Sequence, residues 1–386
     1  MMENPFAAIP PSSLYIHVPF CASRCSYCDF YSQRPGHDDF DRYTDCLIHE
    51  MEASIPADLP FKTLYFGGGT PSFLPLRCWE RIFNFIATRL RLDPSAELTL
   101  EANPSADLPA KLRPFRDFGI NRLSLGLQSS HDRLLQQLGR IHRFDQFEEA
   151  LQAALRAGFV NISLDLMFGI PGQSMRDFEE DLDYVSALPV THLSAYSLQI
   201  EEGTPLAADV KLDPSILPAE EEEREMYHLL LDRLPGAGFR PYEISNAAKP
   251  GYESRHNSVY WRAEPYYALG PSASSYVGGI RRTNVADLKR WMQVWTGRNQ
   301  AYAASAIDEV VDGESAAHEF AMLSFRRMDG LKREEYAALF HERAEERFAD
   351  PIERMKERGL ILETTEGWRL SRAGLDLANL VFEAFL

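Results

Sequence analysis

Three of the five cysteines in this chain, Cys21, Cys25 and Cys28, lie within eight residues of one another. The spacing C-x3-C-x2-C puts three thiols on one loop directly after an apolar run, Leu14 to Val18. Thiolates bind zinc ions and iron–sulfur clusters, and cysteines grouped in this way in a cytosolic protein indicate a metal site rather than a disulfide framework. The loop therefore predicts a metal centre.

A zinc ion in a structural site needs four ligands, and no fourth Cys or His follows at a finger-like spacing. His37 is a conceivable fourth ligand at an unusual distance along the chain. Three thiolates on a four-iron cluster would leave one iron open to a small molecule, whereas a zinc loop or a chance cluster remains the alternative. Cys46 and Cys78 stand apart and are expected to be small buried thiols.

Length and composition limit the class of protein. The chain has 386 residues, of which 45% are hydrophobic, enough for a barrel-sized domain with a smaller one. The first residues do not resemble a secretory signal, and no apolar run approaches the ~18 to 20 residues of a membrane span. We expect a soluble, cytoplasmic protein. A formal charge of −17 disfavours non-specific binding to nucleic acid or anionic lipid.

Short β-rich runs alternate with amphipathic helical stretches in the first half of the chain. The predicted strands are Leu14 to Val18, Thr63 to Phe66, Glu97 to Ala102, Arg122 to Gln128, Asn161 to Phe168 and His192 to Ile200. Six such units predict an α/β fold with parallel strands and outer helices, as an open sheet or a barrel-like wall.

The unusual polar and glycine residues fall at the carboxyl ends of these strands. They are the cysteine loop after the first strand, "GGGTP" after the second, Glu101 and Asn103 at the third, Gln128 at the fourth, and Asp165 with "GIPG" at the fifth. Sites in α/β sheets and barrels are built at this edge, so the pattern predicts one shared site.

The regular alternation of strands and helices ends after about Glu201. The stretch "PSILPAEEEEREMYHLLLDRL" predicts a helix, and the interval from Phe239 to Gly279, which contains "HNSVYW", is expected to be irregular. From about Glu314, two or three helices are expected, followed by a hairpin and a final helix in a winged-helix-like unit. Residues 331–386 contain 9 Lys or Arg and 12 Asp or Glu, which favours a packing or docking role over DNA binding.

The cysteine spacing on a first βα loop, with "YIHVPFC" and the strand-end motifs, resembles the radical S-adenosylmethionine (SAM) superfamily. Within it, the chain resembles the oxygen-independent coproporphyrinogen III oxidase family, from roughly Leu14 to Gly279 and weakly beyond. The resemblance implies a TIM-like partial (βα)6 barrel over residues 1–205. An extension with the "HNSVYW" motif would cover residues 206–305, and a winged-helix-like, mainly helical domain residues 306–386.

The resemblance also implies a [4Fe–4S] cluster on the three cysteines and a set of SAM contacts. The implied SAM contacts are Tyr15, Tyr27, Gly67, Gly68, Gly69, Thr70, Glu101, Gln128, Arg140 and Asp165. Glycines allow backbone N–H groups to approach a carboxylate, and an arginine can pair with one. Without the resemblance, a solvated residue at a helix end is an equally good interpretation of Arg140. A packing residue is likewise an equally good interpretation of Tyr27.

Two features separate the chain from the oxidase itself and resemble the HemW-like branch. Where the oxidase has a fourth cysteine, two residues after Cys28, this chain has Phe30. The residues of an H-N-x-x-Y-W motif are His256, Asn257, Tyr260 and Trp261. The branch implies a haem chaperone that passes haem to haem-requiring proteins, notably of the respiratory chain, and that is not expected to decarboxylate coproporphyrinogen.

The motif histidine His256 is expected to be an axial ligand of haem iron, since imidazole commonly fills that role. The charges of Arg255 and Arg262 suit them to pair with the haem propionates. A reductant such as flavodoxin or ferredoxin would be a partner. Two other functions remain open from the sequence: oxidative decarboxylation of coproporphyrinogen III, and radical SAM chemistry on another tetrapyrrole or small molecule. A satisfied loop histidine with a core tryptophan is the structural alternative for the motif.

Overall fold

Six parallel strands alternate with helices in the first half of the computed structural model, which describes residues 3–297 and 300–386. The strands are β1 (Ser13–Val18), β2 (Pro60–Gly68), β3 (Arg91–Ala102), β4 (Arg122–Gln128), β5 (Asn161–Phe168) and β6 (His192–Ser197). The helices are α1 (Asp39–Ser54), α2 (Leu76–Arg89), α3 (Leu108–Asp117), α4 (Asp132–Gln137), α5 (Phe144–Arg156), α6 (Met175–Ser186), α7 (Pro205–Leu212) and α8 (Glu220–Arg233). The expected α/β class is confirmed, and each predicted strand is present.

Each of these six strands pairs in parallel with the next one along the chain. Such a succession of βα units forms the wall of a barrel, with the carboxyl ends of all strands on the same side. Residues alternate across the wall. Leu64 and Phe66 of β2 belong to the apolar core outside it, whereas Thr63 and Tyr65 point inward.

The interval from Phe239 to Gly279 contains short regular elements, so the expectation of irregular structure was wrong. Its elements and those that follow are β7 (Arg240–Glu243), β8 (Asn246–Ala248), α9 (Arg255–Trp261), β9 (Tyr267–Leu269), β10 (Ser274–Val277), β11 (Ile280–Asn284), α10 (Leu288–Trp295) and β12 (Ser305–Val310). Strands of three or four residues are too short to show a period of two.

Three of these strands widen the main sheet. Strand β9 pairs in parallel with β1 at one edge. At the other edge, β8 pairs antiparallel with β6, and β7 pairs antiparallel with β8. Strands β10, β11 and β12 form a separate antiparallel sheet.

The C-terminal part is mainly helical. Its elements are α11 (Gly313–Ser324), β13 (Leu331–Lys332), α12 (Arg333–Phe340), α13 (Ala344–Arg347), α14 (Ala349–Glu357), β14 (Ile361–Glu363), β15 (Gly367–Leu370), α15 (Arg372–Asp376) and α16 (Ala378–Ala384). The predicted hairpin, β14–β15, is confirmed, and β13 joins it in a three-stranded antiparallel sheet. Four helices precede the hairpin rather than two or three, and two short helices follow it instead of one.

The apolar side chains of this part form a second core, to which Phe6 near the start of the chain also belongs. The expected division at residues 205 and 305 stays a prediction. Within residues 3–297 and 300–386, no helix has the length and apolar composition needed to cross a membrane.

Candidate functional site

A cavity of about 600 Å³, which we call the upper cavity, opens at the carboxyl ends of β1 to β6. The sequence-predicted site residues that line it are Cys21, Cys25, Tyr27, Cys28, Gly68, Gly69, Glu101, Gln128, Arg140, Asp165 and Asn257. Asn103 and Phe30 lie there too. Strand ends that are far apart in sequence therefore meet at one place, with the cysteine loop at its rim.

Backbone hydrogen bonds hold the cysteine loop in place from several sides. The N–H of Cys21 donates to the carbonyl of Gln33 (3.1 Å), and the N–H of Ser26 donates to the carbonyl of Leu138 (3.0 Å). The carbonyl of Ser26 in turn accepts from the N–H of Leu206 at 3.0 Å. All three thiols are free. The fold thus presents three unpaired thiols on an anchored loop.

His37, the conceivable fourth zinc ligand, is not among the residues that line the upper cavity. The side chain of His37 is 98% exposed, and its Nδ1 bonds to Asp38 Oδ1 at 2.7 Å. Over residues 3–297 and 300–386, no group of three His, Cys, Asp or Glu side chains is arranged to hold a single metal ion. Cys46 and Cys78 are buried, as expected from the sequence.

The glycines of "GGGTP" leave no room for side chains against the cysteine loop. Gly68 has φ +113°, and a Cβ there would lie 2.7 Å from the ring of His17. A Cβ on Gly69 would lie 3.0 Å from Cys21 Sγ and 2.8 Å from the carbonyl oxygen of Phe20. Only glycine fits this approach. The N–H groups of Gly69 and Thr70 donate to the carbonyls of Val18 (2.9 Å) and Phe20 (2.8 Å), which fixes the segment against the start of the cysteine loop.

A chain of side-chain hydrogen bonds links two of the thiols across the cavity wall. Asn103 Nδ2 donates to Thr70 Oγ1 (2.9 Å), which leaves the Thr70 hydroxyl to donate to Cys21 Sγ at 3.5 Å. Asn103 Oδ1 accepts from Arg140 Nη1 (3.2 Å), and the same nitrogen lies 3.6 Å from Cys25 Sγ. Two of the three sulfurs therefore have a polar partner from the cavity wall.

Two acidic side chains, Glu101 and Asp165, reach the cavity from β3 and β5. Tyr65 OH donates to Glu101 Oε1 at 2.6 Å, and Ser124 Oγ donates to Asp165 Oδ1 at 3.3 Å. Enclosure in the barrel raises the pKa of Glu101 to about 7. It also raises the pKa of Asp165 to about 6, against the opposing charge of Arg140. Both groups therefore change between acceptor and donor close to neutral pH.

Gln128 ends β4 in a strained backbone conformation. Its φ is +67°, in the left-handed region, at a bulge between Gly126 and Gln128. The side chain is buried at the cavity wall, where its Oε1 accepts from Tyr196 OH at 3.2 Å. Strain of this kind in a non-glycine residue is typical of functional sites.

The remaining residues expected to contact SAM lie around or below the cavity. Tyr15 OH bonds to His17 Nδ1 at 3.0 Å, and its ring stacks on Tyr65 at 6.1 Å in the layer beneath. A Cβ on Gly67 would meet those two tyrosine rings. Tyr27 lines the cavity and also packs on an apolar cluster below it, and burial raises its pKa to about 12.

His256 of the H-N-x-x-Y-W motif is enclosed in the barrel, at 1% exposure. Its Nδ1 bonds to Thr63 Oγ1 (2.7 Å), its Nε2 bonds to Tyr260 OH (2.9 Å), and its ring stacks on Tyr65 at 5.0 Å. Both nitrogens are thus engaged. Ligation of haem iron by His256 stays a prediction that would require the ring to give up one of these bonds.

Helix α9, which carries the motif, separates two cavities. Asn257 reaches the upper cavity, whereas Arg255, Trp261 and Arg262 line a second one of about 790 Å³, which we call the lower cavity. Thr63 and the first residue of β1 also line the lower cavity, so it lies at the amino-terminal ends of the strands. The four motif residues are therefore not gathered in a single site.

Sequence reasoning missed several polar residues of the upper cavity, among them Tyr65, Ser194, Tyr196 and Asn246. The first three could have been found from the alternation of residue types along their strands. In "TLYF" and "HLSAYS", polar or aromatic-hydroxyl residues recur at every second position, which places them on the inner face of the wall. Asn246 follows a turn and carries no such signal.

The chain matches known families over most of its length. Residues 15–185 match the Radical SAM superfamily, and residues 311–377 match the HemN C-terminal domain. The chain is 34% identical over 379 residues to the heme chaperone HemW of Bacillus subtilis, covering 97% of this chain and 99% of that protein. It is 33% identical over 386 residues to the heme chaperone HemW of Escherichia coli, covering 98% and 99%. The chain belongs to the HemW family.

A solved structure agrees with this membership at the level of the fold. Coproporphyrinogen III oxidase (HemN) from Escherichia coli, a radical SAM enzyme, superposes with a TM-score of 0.84 at 22% identity, covering 97% of this chain and 90% of that one. This HemW-family chain therefore has the radical SAM fold with a C-terminal helical region.

Proposed function

We propose that this protein is a haem chaperone that holds a [4Fe–4S] cluster and SAM in the upper cavity and delivers haem to other proteins. The observation that carries the proposal is the similarity to heme chaperones over 97% and 98% of the chain. Phe30 supports the same assignment. It is 66% exposed on the cysteine loop, where the oxidase branch has its fourth cysteine.

The residues of the upper cavity fit the two resident groups. Cys21, Cys25 and Cys28 would hold the cluster, with donors from Thr70 and Arg140 on two of the sulfurs. In the described part of the chain, Arg140 Nε is buried without a hydrogen-bond partner, which leaves a donor for a bound carboxylate. When bound, cluster and SAM together supply one-electron chemistry.

The chain's own groups would position SAM. The ionised carboxylates of Glu101 and Asp165 accept hydrogen bonds from hydroxyl or ammonium groups, and the Gln128 side chain faces the same space. The glycines at 68 and 69 keep the space beside the cysteine loop free of side chains.

Haem is the cargo in this proposal. The acceptors would be haem-requiring proteins such as those of the respiratory chain, and a flavodoxin or ferredoxin would reduce the cluster. We propose that the exchange takes place in the cytoplasm.

Anaerobic haem titration of the reconstituted protein tests the function. We expect saturation near one haem per chain, followed by transfer to a haem-free acceptor in a mixing experiment. No saturable haem binding would contradict the proposal. A parallel incubation with SAM, dithionite and coproporphyrinogen III separates the oxidase alternative, because only that enzyme forms protoporphyrinogen and carbon dioxide.

A further inference from the structure

The lower cavity is a built pocket on the face of the barrel opposite the cysteine loop. Its volume of about 790 Å³ exceeds that of the upper cavity and lies within the range of roughly 300 to 1,000 Å³ typical of ligand pockets. Its walls come from the starts of β1 and β2, from β7 and α9, and from residues 327–329 after α11. Five separate parts of the chain therefore enclose it.

Positive side chains outnumber acidic ones in the lining of this cavity, five to three. In the part of the chain that the structure describes, Lys62, Arg240 and Arg262 have no side-chain hydrogen bond or ion pair. Of the acids, Glu253 accepts from the N–H of Gly251 at 3.1 Å. Burial raises the pKa of Glu264, and the charges of Arg262 and Lys62 oppose that rise. Three free cations at one cavity favour a ligand with more than one negative group.

The other charged side chains of the lower cavity already have partners. Arg327 pairs with Glu335 and Asp329, and Asp329 also pairs with Lys332 at 2.9 Å. Arg255 Nη1 donates to the carbonyl of Ser95 at 2.6 Å. These groups shape the wall, and they leave recognition of a ligand to the three free cations.

Apolar side chains line the same cavity between the cations. They include Pro241, Val259, Trp261 and Met328. The guanidinium of Arg326 lies 4.4 Å from the centre of the Trp261 ring, which fixes the indole in place. A ligand suited to this lining has a broad apolar body and anionic ends.

We propose that the lower cavity is the haem-binding site of this protein. Lys62, Arg240 and Arg262 hold the propionates, and the macrocycle packs against Trp261. This inference rests on the proposed chaperone function and adds the place where the cargo sits. Helix α9 then lies between haem below and SAM above, so the two ligands occupy separate cavities.

Haem titration of the full reconstituted chain with a triple variant tests the location. Lys62→Gln/Arg240→Gln/Arg262→Gln removes three exposed charges that form no hydrogen bond or ion pair within the described residues. The control, Arg156→Gln/Lys289→Gln/Arg358→Gln, removes the same total charge from exposed positions elsewhere. We expect the first variant to bind haem about tenfold more weakly, the effect of three charge contacts, and the control to bind like the wild type.

Two further readouts sharpen the test. Haem dimethyl ester, which lacks the anionic ends, should bind equally to the wild type and to the lower-cavity variant. Saturating SAM should leave the haem affinity of the wild type unchanged.

Three results would overturn the location: an unchanged affinity in the lower-cavity variant, an equal loss in the control, or competition between haem and SAM. Failure of the wild type to bind haem would instead overturn the chaperone function itself.

Discussion

Replacing His256 by glutamine tests whether this residue supports the barrel interior as a neutral ring. The imidazole is enclosed, with Thr63 and Tyr260 bonded to its two nitrogens. Burial, together with the nearby charge of Arg122, lowers the pKa of His256 to about 3. In the unfolded chain, the same ring titrates near pH 6.5.

The sign and size of the pH effect follow from these two values. Below about pH 6.5 the unfolded chain takes up a proton that the folded chain refuses, so the stabilising contribution is complete above that pH and declines toward pH 3. Between pH 7.5 and 5.5, His256 alone should cost about 1.4 kcal/mol of unfolding free energy. At about 2.1 cal/mol/K per residue over 386 residues, that loss lowers the melting temperature by about 2 °C.

Thermal unfolding of reconstituted protein at the two pH values measures this difference. The wild type should lose about 2 °C more on acidification than His256→Gln, and His37→Gln, which alters a solvent-exposed ring, serves as the control. If haem lies in the lower cavity, which His256 does not line, the haem absorption spectrum should keep its band positions in His256→Gln. An equal acid sensitivity of wild type and variant would refute the buried neutral ring, and a shifted haem spectrum would favour iron ligation by His256.

Three further variants test the upper cavity. Gly69→Ala should destabilise the loop by about 1–3 kcal/mol and lower the iron content after reconstitution, because the new Cβ would press on Cys21 Sγ. An unchanged iron content would contradict the need for glycine at this position. Asn103→Leu removes the oxygen that accepts a hydrogen bond from Arg140 and holds it in place. SAM affinity should therefore fall about tenfold in equilibrium titrations while the cluster remains. Loss of the cluster would instead assign Asn103 to cluster retention. SAM affinity of the wild type should rise with pH through about 7 as Glu101 ionises, and Glu101→Gln should flatten that part of the profile.

The sequence was informative wherever a residue's role follows from its place along a strand. The six strands were predictable because apolar residues in "RLSLGLQ" or "NISLDLMF" alternate or run together over enough positions to show a period. Their carboxyl ends had to meet, since parallel strands of one sheet share a direction. Cys21, Glu101 and Asp165 could therefore be assigned to one cavity from their positions along the chain alone.

The rest depended on contacts that no local pattern encodes. Helix α9 is only seven residues long, and its insertion among Thr63, Tyr65 and Glu97 depends on pairings about 160 to 190 residues away in sequence. For the same reason, the separation of Asn257 from Trp261 into two cavities was not foreseen. The motif forms a short helix whose residues face two different cavities.

The proposed function depends most on a four-iron cluster held by three thiolates. The composition of this cluster can be measured directly. Anaerobic reconstitution should yield about four irons and about four sulfides per chain, with a cubane electron paramagnetic resonance signal after dithionite reduction. Cys25→Ser should lose both the iron and the signal. One tightly bound zinc per chain, with no cubane signal after reduction, would contradict the account.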